Sequence, residues 1–252
     1  MKKITIVMIS FIFIILLSST ACSKENTELI LIQETEHGLF YSPSSGEDEK
    51  EMVKILAESF ELNYPRITNM FQYEDNNKVV IHVYADKEEF VEMIGRETEG
   101  TYVSKENIIK VYTPIHLIGG IQEEYTFQLI HEFVHAVIQQ INPSVAGLKW
   151  LDEGIAEYAS KQLEEDIKSR STFNDYPTLR QLESGSVYFD EAGSTAYLYS
   201  GILIKYIVDE YGIDALNKII RTPTNIEVIM KASTENIYEQ WVKYLEDKKW
   251  LR

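Results

Sequence analysis

The stretch EEYTFQLIHEFVHAVIQQI, residues 123–141, places apolar side chains at Ile130, Phe133, Val134, Val137 and Ile141. This spacing follows the turn of an α-helix with one face in a core, and Asn142-Pro143 stops it. A helix with such a stripe needs a second layer to cover it, so this segment constrains the whole C-terminal half. It also carries His131 and His135, four residues apart and therefore one above the other on a single face. Two imidazoles so placed reach one metal ion at about 2.0–2.1 Å each. Glu132 points off the axis of that pair, where a carboxylate can act as general base beside an open coordination position. H-E-x-x-H on a helix is thus a mechanical arrangement. The alternative is a surface helix with two solvated histidines.

The remaining pattern predicts an α+β chain. DEKEMVKILAESFELNY reads as a helix through Met52, Val53, Ile55, Leu56 and Phe60, ended by Pro65. KVVIHVYAD and NIIKVYTP are β-branched and aromatic runs, hence strands, with a short helix DKEEFVEMIG between them that stops at Gly95. After residue 121 the chain is mostly helical: WLDEGIAEYASKQLEED, a short segment around PTLRQLES within loop-rich residues 169–193, and STAYLYSGILIKYIVDEYG with Ser194 or Thr195 as N-cap. Three shorter helical segments follow. We therefore expect a domain over 47–252, with strands in 47–120 packed against helices in 121–252.

The N-terminus reads differently. MKK precedes ITIVMISFIFIILL, 14 residues nearly free of polar groups, and SSTAC leads into the polar SKENTE. This is the layout of a secretory signal over 1–21, too short for a comfortable membrane span. Cys22 follows the small residues as in a bacterial lipobox, although Ser19 stands where an aliphatic residue is usual; an ordinary cleaved signal with an incidental cysteine is the alternative. Residues 22–46 read as a polar tether. Either way the domain is expected outside the cytoplasm, and a lone cysteine forms no internal disulfide. The net charge of -16 opposes phosphate backbones and excludes nucleic acid as a partner.

Eighteen residues after His135 stands Glu153, in WLDEGIAEY. HEFVH followed by this stretch resembles the gluzincins, zinc metallopeptidases of the peptidase MA-like superfamily, whose second motif has the form W-L-x-E-G-x-A-x-Y. The resemblance spans roughly residues 79–245 and is strongest over 128–159. It implies a zincin-like fold and one Zn2+ held by His131, His135 and Glu153, with Glu132 as general base. It also implies that Glu157 hydrogen-bonds a ligand histidine, and that Tyr197, or in reserve Tyr199, donates to the oxyanion. The strand IIKVYTP becomes the candidate sheet edge for an extended substrate. Asp152 reads as a solvated helix-start residue; His37, His82 and His116 have no partner pattern. The residues after His135 lack the metzincin spacing, and no G-x-M-E-N-like stretch supports aminopeptidase action.

The expected function is an extracytoplasmic zinc-dependent peptidase acting on peptide or protein substrates, touching the membrane only through a lipid on Cys22. The alternative is a surface lipoprotein whose zinc serves structure or partner binding; a chance motif on an adhesin-like domain is the third reading.

Overall fold

A computed structural model describes residues 28–115, 120–169 and 176–248. The signal segment 1–21, Cys22 and His116 lie outside the described residues. The chain begins with β1 (Ile30–Glu34) and β2 (Gly38–Ser42), then α1 (Glu47–Phe71), β3 (Val79–Tyr84), α2 (Lys87–Ile94), β4 (Gly100–Val103) and β5 (Ile108–Tyr112). The helical part contains α3 (Gly120–Ile141), α4 (Lys149–Ser160), α5 (Gln162–Ser169), α6 (Leu179–Glu183), α7 (Ser186–Ala192) and α8 (Ser194–Tyr211). It closes with α9 (Ile213–Arg221), α10 (Ile226–Met230) and α11 (Thr234–Asp247). The protein is thus α+β, with a mixed sheet N-terminal to a mostly helical half.

The sheet has the order β1-β2-β3-β5-β4. β2, β3 and β5 run parallel, while β1 and β4 are antiparallel to their neighbours at the two edges. This corrects two expectations. Residues 30–42 form a hairpin, whereas the sequence reads as tether: charged and polar residues around the turn mask the alternation of β2, whose Phe40 is fully buried. The strand IIKVYTP is internal, and the edge nearest the helical half is β4.

α1 continues through Pro65 to Phe71, where the sequence predicts a stop. The missing hydrogen bond is tolerated because the apolar stripe goes on beyond it. Tyr64, Ile67 and Phe71 are buried together with Met52, Leu56 and Phe60. Phe60 meets Phe133 of α3 edge-on at 4.9 Å between ring centroids, and Tyr64 stacks on the same ring at 5.4 Å. The terminal carbonyls of α1 are satisfied from the helical half: Asn217 Nδ2 donates to the Met70 carbonyl at 2.8 Å and Arg221 Nη2 to that of Phe71 at 2.9 Å. Buried residues of sheet and helices form one continuous cluster.

α2 ends as expected at Gly95, whose φ of 80° is the left-handed C-cap. The N-cap of α8 is Gly193, ahead of the expected Ser194 or Thr195. Residues 179–192, read as mostly loop, form two short helices. No described helix is long and apolar enough to cross a membrane.

Candidate metal centre

α3 and α4 face each other and bring HEFVH and WLDEGIAEY together. The close packing has a local cause: a Cβ on Gly154 would lie 2.5 Å from the Ser200 carbonyl oxygen of α8. Only glycine allows α4 to lie that near α8, and this packing fixes how deep Glu153 sits.

The donor atoms of the three expected ligands converge. His131 Nε2 and His135 Nε2 are 3.1 Å apart, His131 Nε2 and Glu153 Oε2 3.2 Å, and His135 Nε2 and Glu153 Oε2 3.3 Å. A tetrahedral ion with bonds of about 2.0–2.1 Å has its ligand atoms about 3.3–3.4 Å apart. The donors therefore fit one small divalent ion almost as they stand. All three residues are buried and form a group able to hold a metal.

The far nitrogens of the two imidazoles are held as well. His135 Nδ1 meets Asp152 Oδ1 at 2.9 Å, and His131 Nδ1 meets Gln162 Oε1 at 2.6 Å. Both contacts are to acceptors, which holds a proton on each Nδ1 and leaves Nε2 as the ligating atom once a metal displaces any proton there. Burial opposes a charged His135, yet Asp152 and Glu153 outweigh it and hold its pKa well above the ordinary histidine value. Burial likewise opposes a low pKa for Glu153, and the two histidines hold it well below the usual carboxylate range. Without metal the triad is thus charged and proton-holding, a state that a cation replaces with release of protons.

This geometry corrects the reading of two residues. Asp152 is buried and orients His135; it is not a solvated helix start. Glu157 bonds neither histidine, and its Oε2 has no hydrogen-bond partner. Asp152→Asn is expected to weaken divalent-metal affinity about 10–100-fold, as measured by competition with a chelating dye. Burial pushes the Glu157 carboxyl up to about 7, with His131 opposing and Asp166 adding to the rise. The folded chain therefore holds this proton more tightly than the unfolded chain, and stability falls as pH rises from about 4.5 towards 7. In metal-free protein, Glu157→Gln is expected to melt above the wild type at pH 8, with the gap closing towards pH 5.

Glu132 is buried beside the triad, and burial lifts its carboxyl above the usual range. Gln128 Nε2 donates to Glu132 Oε1 at 2.8 Å, and Gln162 Nε2 donates to Gln128 Oε1 at 3.1 Å. Two side-chain amides therefore link Glu132 to His131. β4 passes directly over this group: a Cβ on Gly100 would lie 2.7 Å from Glu132 Oε1 and 2.8 Å from Gln128 Nε2. The Lys149 Nζ contacts Glu153 Oε1, leaving Oε2 for the centre. Tyr197 is half-buried and lines the same cleft of about 370 Å³, whose walls include Arg96 and the segment 97–102. Tyr199 is in the core, edge-on to Trp241.

The sequence reading missed Gln128, Lys149 and Gln162. Gln128 and Lys149 each stand four residues before one of the singled-out glutamates, Glu132 and Glu153, on the same helix, which is a usable signal. Gln162 comes from the next helix and carried none. Glu36, His37 and Glu61 also bring donors together at the partly exposed start of the sheet, where His37 Nδ1 meets Glu61 Oε2 at 2.7 Å. His82 lies in β3, edge-on to Tyr41.

Compared with known proteins, the chain matches no family model, and no curated protein is significantly similar to it in sequence.

Proposed function

We propose that the chain is an extracytoplasmic zinc peptidase of gluzincin type, with a zincin-like arrangement of sheet and active-site helices. The observation that carries this reading is the trio of donors spaced for one tetrahedral ion with a buried, hydrogen-bonded Glu132 beside it. Among the described residues three donors converge there, which suits an open catalytic site better than a closed structural one with four protein ligands.

Bound zinc would supply Lewis acidity to water and to a peptide carbonyl. Glu132, steadied by Gln128, takes the proton from water and returns it to the leaving amine. Burial raises its proton affinity and suits both halves of that transfer. Tyr197 offers a hydroxyl to the developing oxyanion. β4, as the edge strand of the cleft, pairs with an extended peptide, and its Gly100 keeps the backbone close to Glu132. The signal-like N-terminus supports export, and Cys22 supplies the site for a lipid anchor.

Digestion of a peptide library by zinc-loaded wild type, beside zinc-loaded Glu132→Gln, tests this function. Cleavage by the wild type alone is expected. A fully zinc-loaded wild type that cuts no peptide would contradict it.

A further inference from the structure

A second compartment, of about 990 Å³, opens beside the metal cleft and shares Glu99, Glu157, Gln162 and Tyr197 with it. It lies between the first turns of α3, the length of α5 and the start of α8. Six acids line it: Glu99, Glu123, Glu124, Glu157, Glu165 and Asp166. None of the described residues that line it is basic, and the two cations of the metal cleft, Arg96 and Lys149, do not reach it.

Part of this charge is already answered, since Glu99 meets Lys87 at 3.2 Å and Glu165 meets Lys168 at 2.6 Å. Glu157 is different. It is 7% exposed, its Oε2 has no hydrogen-bond partner, and it lines both cavities. An unsatisfied buried carboxyl is costly, and the cost is removed by a donor arriving from the cavity. Among the described residues these acids do not gather three oxygens within reach of one ion. A larger organic cation therefore fits better than a metal. Phe127 and Tyr197 supply ring surface for the aliphatic stem of such a group.

We propose that this compartment binds a positively charged group of the substrate, a Lys or Arg side chain next to the scissile bond, with Glu157 at its base. The proposal rests on the peptidase reading for the words "scissile bond", but the binding itself does not.

The test pairs N-acetylated, C-amidated peptides that differ only in Lys, Arg or norleucine at one position. Two quantities are read: kcat/KM with zinc-loaded wild type, and equilibrium binding to zinc-loaded Glu132→Gln. Lys and Arg are expected to be favoured over norleucine by about tenfold, the effect of one charge-assisted hydrogen bond. That ratio should fall towards one in Glu157→Gln and, independently of any effect on folding, in the surface double variant Glu123→Gln/Glu124→Gln. A parallel arm uses peptides with a free N-terminus. Preference for the free amine, lost in the same variants, would assign the compartment to an α-ammonium group. Binding with charge preference but no cleavage would uphold the compartment and refute the peptidase function. Binding that ignores charge would overturn the compartment, and cleavage that ignores charge would do so while leaving the peptidase function standing.

Discussion

Glu132→Gln is expected to lower peptide hydrolysis by about three orders of magnitude while one zinc ion per chain stays bound. The amide has the shape of the carboxylate, so it fits under Gly100 and still accepts the hydrogen bond from Gln128. It holds no proton between water and the leaving amine, and that is the step lost. His131, His135 and Glu153 are untouched, so metal content separates a chemical defect from a structural one. A variant that cleaves peptides at the parental rate would remove Glu132 from the role of base.

Zinc removal is the second large effect. Three buried donors point at one another, and the negative charges of Glu153 and Asp152 favour a cation among them. An ion binding only the folded state at 1,000 times its Kd adds about 4 kcal/mol to stability. For a chain of this size that corresponds to roughly 10 °C in melting temperature. Removing one of three ligands, as in His131→Ala or His135→Ala, is expected to weaken zinc by about three orders of magnitude, a proportionate share of a binding energy near 10–16 kcal/mol. The zinc-induced rise in melting temperature should then vanish at micromolar zinc in both variants. A rise that persists in them would place the ion elsewhere.

Much of the donor cluster was legible because helical geometry converts spacing into position. The period of α3 puts His131 and His135 on one face with Glu132 beside them, whereas Glu153 was reached only through the resemblance of its motif. What supports them was less legible, because it depends on how helices meet. Asp152 looked like an exposed residue at a helix start until the packing of α4 on α8 turned it towards His135. Glu157 shares a helix face with Glu153, yet one further turn carries it past the histidines into the neighbouring cavity. In the sheet, a propensity argument could not tell an internal strand from an edge. β4 is short and contains Gly100, so it carried no strong strand signal, although it forms the wall nearest Glu132. Pro65 shows the opposite failure, in which a local rule yields to a buried stripe that continues beyond it.

The most direct measurement is a titration of zinc into chelator-stripped wild-type protein, with hydrolysis of a peptide mixture followed at each addition. Hydrolysis should be absent at the start, rise in proportion to added zinc and level off at one equivalent per chain. Cleavage that survives stripping, or that fails to appear at one bound equivalent, would contradict a zinc peptidase built on His131, His135 and Glu153.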